Sequence, residues 1–508
     1  MSNFDRYDWM FTSPPINTDR VEERKDTTNK TNRSCRHVVG RTKANALKRN
    51  TKKTSKLNAE KSVVTSPKKK ETKRSVLIKK RTVNESDEQH GHETSLTKKP
   101  RIIPEIPPTE KVQFFSSRDF VVDAAKIIES ADVINEFNNK YKDKKSSRCY
   151  KDYCRHKAQT RNDIDHKTFF KYNGILEVSL EYPGSDFRER YLLAYLYNGD
   201  GYFPVDDLMD TVNTIIEIMF KTEIAEKFQD SQIQLDEETS LKKGNIDRRL
   251  TRAKNRGNWV DFVNAIKIFN QYLQEAKKAG NFLAVDITTS DPNNEKFRKL
   301  IHHIIQQVYD RVASPEISRI IKRGQDKSQD YGELLPPFID DIIQKTQLNR
   351  NSIFMDFGSG VGNVCLQIAA QVGCNVYGIE VLPERYNSSV NFTKEFLRRT
   401  RLYSVTSGPI EIYNMDLRRI GELRNILDIL GKADIVLCNN LAFDASLNNF
   451  IKDLFLSTKS NAQVITLVPL HDIVRHDDNI WKKVVEHKYN NNWVSWTSTG
   501  GSYYQFSL

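Results

Sequence analysis

From residue 349 onward the chain alternates short apolar runs with amphipathic stretches. The runs SIFMDF (352–357), CNVYGIEV (374–381), IEIYNMD (410–416), ADIVLCNN (433–440) and AQVITLVPL (462–470) read as strands. Their near-continuous apolarity suits strands covered on both faces. Helical spacing between them predicts helices over 364–372, 383–399, about 420–430 and about 447–456. Strands and helices in this alternation build an α/β, doubly wound parallel sheet. The end breaks the rhythm. WVSWT (493–497) and SYYQFSL (502–508) flank STGG, which predicts a closing antiparallel hairpin.

Upstream the periodicity is different. GILEVSLEY (174–182) and ERYLLAYLY (189–197) read as strands separated by PGSDF. Residues 205–220 carry helical spacing at Leu208, Val212, Ile215, Ile216 and Met219. Residues 226–256 are polar and charged and are expected as a surface excursion. Amphipathic helices follow at 259–279 and 294–312. The stretch 111–330 is therefore expected to be a mainly helical lobe, and 331–508 the sheet domain. Residues 1–110 have few apolar clusters and cannot bury enough surface to offset chain entropy, so a disordered arm is expected.

Charge sharpens that division. The 508 residues carry a net charge of +13, and between Arg41 and Arg81 there are 16 Lys/Arg against Glu60 and Glu71, a balance of +14. One stretch of the arm thus holds the whole excess. PKKKETKR (67–74), IKKR and TKKPR fit both phosphate backbones and nuclear import, so DNA and the nucleus are the expected partner and location. The chain opens without a signal-peptide pattern and holds no apolar run near the ~20 residues of a membrane span. Its six cysteines suggest no disulfide framework, and a reduced, soluble, intracellular protein is expected. Cys149 and Cys154 with His156 and His166 are too irregular in spacing to predict a metal. His302 and His303 fall on a predicted helix and read as structural.

The chemistry concentrates after the first sheet strand. Asp356, Phe357, Gly358, Ser359, Gly360, Val361 and Gly362 place three glycines at alternate positions at the carboxyl edge, where open parallel sheets bind ligands. A dinucleotide enzyme would also use a glycine loop, but its spacing differs. Glu380 ends the next strand, able to accept two ribose hydroxyls. Asp416 ends the third, placed for an adenine amino group. Several carboxylates would repel a pyrophosphate. A sulfonium-bearing adenosyl group tolerates them, so S-adenosylmethionine is the expected cofactor.

With YGEL (331–334), DFGSGVGN (356–363), VLCNNLAFD (436–444) and the WTSTGGSYY ending (496–504), the chain resembles the disruptor-of-telomeric-silencing (Dot-one) family of fungal type. Those proteins are histone lysine methyltransferases without a SET domain, built on a class I, Rossmann-like methyltransferase fold. The resemblance implies mono-, di- and trimethylation of a lysine on the core of nucleosomal histone H3, with roles in chromatin silencing and the DNA-damage response. Family members also engage a basic patch of histone H4 and respond to ubiquitin on histone H2B. The resemblance carries cofactor contacts onto Tyr331, Gly332, Glu333, Leu334, Phe354 to Asn363, Glu380, Asp416 and Leu417. Glu333 would hold the cofactor's amino group. Leu417 stands where some members have phenylalanine. Asn439 matches the catalytic asparagine, while Phe443, Trp496 and Tyr503 match the walls of a lysine channel. Two alternatives remain open: a nucleic-acid amino methyltransferase, and a chromatin-binding protein with an inactive methyltransferase fold.

Overall fold

The computed structural model describes residues 111–116, 120–141, 149–152, 171–172, 175–196, 202–220, 234–235, 242–243, 246–280, 291–313, 315, 331–470 and 483–508. The arm 1–110, with its basic stretch 41–81, lies outside the described residues, as do Cys154, His156 and His166.

Strand β1 (Lys111–Phe115) joins the edge of the central sheet, and helix α1 (Ser130–Tyr141) follows it. The two apolar runs around residue 185 fold as β2 (Ile175–Glu181) and β3 (Arg188–Leu192), an antiparallel pair. Helix α2 (Pro204–Thr214) buries Val205, Leu208 and Val212 before passing into a π-turn at Ile215–Met219. The polar excursion expected at 226–256 is corrected at its end: Ile246–Arg256 is helix α3. Ile246, Leu250 and Ala253 recur at helical spacing and are buried, and Arg249 pairs with Asp261 at 2.6 Å. Four arginines and one lysine over that span hide the short apolar stripe from a composition reading. Helices α4 (Trp259–Lys278) and α5 (Glu295–Val308) match the expected pair, and α5 ends in a second π-turn, Tyr309–Ala313.

The rest alternates as the pattern predicts. Helix α6 (Pro336–Thr346) leads into β4 (Ile353–Phe357), α7 (Asn363–Gln371), β5 (Asn375–Glu380), α8 (Pro383–Leu402) and β6 (Ile410–Asn414). Then come α9 (Arg424–Leu430), β7 (Ile435–Cys438), α10 (Ala445–Phe455), β8 (Gln463–Thr466), β9 (Lys483–Tyr489) and β10 (Gly501–Ser507). The eight-stranded sheet runs β1-β6-β5-β4-β7-β8-β10-β9. Strands β6, β5, β4, β7 and β8 are parallel. Strand β1 lies antiparallel on β6, and β10 lies antiparallel between β8 and β9.

The closing hairpin exists, but its first arm is β9 rather than WVSWT. Valines and charges share β9, and the strand is largely exposed, so it shows no apolar run. Val494 of WVSWT makes an isolated bridge to Leu334 instead.

One apolar core continues from β2, α2, α4 and α5 through α6, α7 and α8 to one face of the sheet; α9 and α10 cover the other face. The chain leaves β4 toward β5 and β6, then returns to β7 on the other side. That reversal opens a crevice beyond the carboxyl ends of β4 and β7.

Candidate active site

The crevice is a cavity of about 550 Å³, and six sequence segments meet around it. The glycine loop forms its floor. Gly358 (φ 87°), Gly360 (φ 57°) and Gly362 (φ 87°) are all left-handed, a conformation that side chains with a Cβ rarely adopt. Gly358 and Ser359 both donate their amides to the Ile379 carbonyl at 2.9 Å, which folds the loop back onto β5. A Cβ on Gly360 would meet the Tyr331 ring at 3.0 Å. Gly362 caps α7, so that helix begins at Asn363 against the cavity.

Three carboxylates stand at consecutive strand ends, and a fourth lies opposite. Glu380 accepts amides from Gly360 at 3.0 Å and Leu382 at 2.8 Å, yet burial still raises its pKa. Asp356 has the Cys365 thiol at 3.8 Å; burial, with Glu380 nearby, pushes it up to about 7. Asp416 is less isolated, since it accepts the Arg418 amide at 2.9 Å and caps a short turn. Glu333 is buried and rises to about 7, although the Tyr331 and Tyr309 hydroxyls donate to it. Buried acids without a cation partner hold protons that a cationic ligand would displace.

The 331–334 segment is tied from both sides. Asn363 donates to the Leu334 carbonyl at 2.8 Å. Glu333 donates its amide to Ser495 Oγ at 2.8 Å and accepts the Ser495 amide at 3.0 Å. Leu335 donates to the Trp493 carbonyl at 2.9 Å, and a Cβ on Gly332 would strike Trp496 at 2.7 Å. WVSWT is therefore the strap that holds YGEL over the cavity.

Asn439 follows β7 directly. Its Nδ2 donates to the Gly332 carbonyl at 3.2 Å, while its Oδ1 is buried with no partner. Phe443, Trp496 and Leu417 also line the cavity and supply part of its apolar wall.

Nearly every residue singled out in the sequence meets here. Phe354 and Val361 are fully buried behind the lining and shape it from the core, and Gly362 acts through the helix start. Tyr503 departs from expectation. It does not line the cavity; it is fully buried in β10, donates to Asp341 at 2.6 Å and stacks on His487. Strand β10 lies beyond β8, two strands from Asn439, which puts its tyrosine on α6 instead. Sequence reading missed Arg385, Arg418, Val364 and Leu447. Arg385 lines the cavity with its guanidinium 4.8 Å above the Tyr331 ring. No motif marks it; it belongs to α8 and arrives through tertiary packing.

Strand order, antiparallel β10 and a glycine cradle ringed by acids define a class I methyltransferase fold. Residues 309–507 match the family described as "Histone methylation protein DOT1". Curated relatives named "Histone-lysine N-methyltransferase, H3 lysine-79 specific" include one from Emericella nidulans, 32% identical over 66% of this chain. Another, from Aspergillus fumigatus, is 31% identical over 65% of it. The chain spans 65% and 63% of the lengths of these two relatives.

Proposed function

We propose that this chain is an S-adenosylmethionine-dependent lysine methyltransferase of nucleosomal histone H3, acting on the lysine its relatives are named for. The observation that carries the reading is Asn439, whose Oδ1 is buried and unpartnered and which lines the cavity together with Phe443 and Trp496. A neutral amine is the donor such an oxygen lacks.

The cavity fits the cofactor on its own chemistry. The left-handed glycines make a cradle that a Cβ would fill, and the ring of acids disfavours a pyrophosphate. Glu333 would accept from the amino group, and the start of α7 would face the carboxylate. Glu380 would take the ribose hydroxyls and Asp416 the adenine amino group. Leu417, in place of an aromatic ring, packs against the base without stacking. When bound, S-adenosylmethionine supplies an electrophilic methyl group.

The chain's own residues handle the amine. Lysine near neutrality is protonated, and deprotonation costs roughly 4 kcal/mol. Aromatic walls strip water from the ammonium and lower that cost, and the released proton passes to water. Asn439 Oδ1 then accepts one N–H and points the lone pair into the cavity. Its own orientation is fixed by the bond to Gly332, so positioning contributes much of the rate.

Docking on chromatin falls to the arm. If about ten of its Lys/Arg neutralise phosphates, log affinity falls against log salt with a slope near −9. The same runs suit nuclear import. Contacts to the histone H4 patch and to ubiquitin on histone H2B belong to this reading as family expectations.

The test is labelled S-adenosylmethionine offered with nucleosomes, free histones and DNA in parallel. Label is expected on histone H3 in nucleosomes alone. It should fall about a hundredfold in Asn439→Ala while cofactor binding persists, and should be lost on removing residues 41–81. Label on DNA would favour the nucleic-acid alternative. Cofactor binding without label anywhere would favour an inactive chromatin-binding fold.

A further inference from the structure

The π-turn Tyr309–Ala313 that closes α5 sends two side chains to different destinations. Arg311 is fully buried and reaches Glu189 and Asp207, each at 2.7 Å. Tyr309 is half-buried and donates its hydroxyl to Glu333. Its ring packs edge-to-face on Phe392 of α8, with centroids 6.4 Å apart. It also borders a small cavity of about 30 Å³ with Glu333, Asn363 and Gln367, directly behind the main one. Single π-turns interrupt helices mostly where a side chain must be re-aimed, often at functional sites. In a regular helix Tyr309 and Arg311 would be ~200° apart around the axis at fixed register. The turn lets one meet the buried ion pairs and the other meet Glu333.

We propose that Tyr309 is a positioning residue for cofactor capture: it aims Glu333 at the amino group, and the ion pairs of Arg311 hold Tyr309 in place. This rests on the reading of Glu333 given above. It assigns the region before the sheet domain a task, which is to build one wall of the cofactor pocket.

Tyr331 on its own segment and Tyr309 from the π-turn bond Glu333, and Asp356 from β4, Glu380 from β5 and Arg385 from α8 line the same cavity. Among the described residues, the Tyr331 and Tyr309 hydroxyls are the donors to it, and both favour its charged form. Removing one therefore raises its pKa further.

Calorimetric titration with S-adenosylmethionine from pH 6 to 8.5 tests this on the full chain. Tyr309→Phe keeps the ring on Phe392, so the fold is expected to stand. Affinity should drop about tenfold at pH 7, the loss of one hydrogen bond to a charged group. The acid limb of the binding profile should move upward, and turnover at saturating cofactor should hold. In a Glu333→Gln background the second substitution should have no further effect. A wild-type profile in Tyr309→Phe, or an equal loss in the Glu333→Gln background, overturns the inference. If wild type takes up no cofactor at all, the cofactor reading itself fails, and this inference with it.

Discussion

Two acids, Glu333 and Asp356, set how the site responds to pH. Burial lifts both to about 7, from ordinary values of 4.5 and 3.8. A carboxyl raised in the folded state stabilises the fold below its unfolded pKa. That contribution is lost as pH rises through the folded value, at roughly 3 to 4 kcal/mol per group. The ligand-free protein should accordingly melt at lower temperature as pH climbs from about 4 to about 7, and level off above that. A ligand carrying an ammonium requires Glu333 ionised, so its affinity should move the other way and tighten over the same window. Thermal shift with and without S-adenosylmethionine reads both trends at once. Glu333→Gln should flatten the pH dependence of the ligand-free melting and weaken binding at pH 8. A cofactor affinity that falls with rising pH would remove Glu333 from the role assigned to it.

At the scale of elements, the glycine loop shows why so much of the site was legible. Its spacing marks a backbone need, and the structure supplies the reason: three left-handed residues in five positions. Gly360 is the sharpest case, because a Cβ there is both strained and 3.0 Å from Tyr331. Gly360→Ala should cost about 1–2 kcal/mol of stability. It should also displace Tyr331, and with it Glu333, so that cofactor affinity falls more than stability does. Denaturation and titration on the same preparation separate the two, and equal small effects on both would argue against a shaped cradle. The parallel strands were equally readable, since burial on both faces writes itself as an apolar run. Three features were not. Strand β9 is half solvent, α3 hides a narrow apolar stripe among charges, and the strap of 493–495 on 331–335 joins residues ~160 positions apart. Long-range pairing of short irregular segments leaves no local periodicity. Tyr503 was placed by motif, but the strand order puts it on α6.

The whole molecule depends on a charge cluster that neither the site nor the motifs announce. Glu189 of β3 is fully buried and collects Arg311 from the π-turn, Arg399 from α8, the Tyr182 hydroxyl and the Ser130 amide. Burial alone would raise its pKa, but the two guanidiniums win and hold it at about 2. The cluster therefore joins the region before residue 331 to the helix that carries Arg385. Replacing one member of such a buried set leaves donors facing donors, because a glutamine amide would confront arginines. Removing one partner of a buried pair typically costs 3–5 kcal/mol, so Glu189→Gln is expected to lose roughly that much in urea denaturation. Its stabilising share should also vanish in acid as pH falls from about 4.5 toward 2, the window between its unfolded and folded values. The two arginines keep Asp207 and Glu395 as partners, which limits the damage to this range. Because Arg311 lies two residues from Tyr309, cofactor affinity should decline along with stability in that variant. A Glu189→Gln protein of full stability would mean that the cluster is bystander chemistry, and that Tyr309 is held by packing alone.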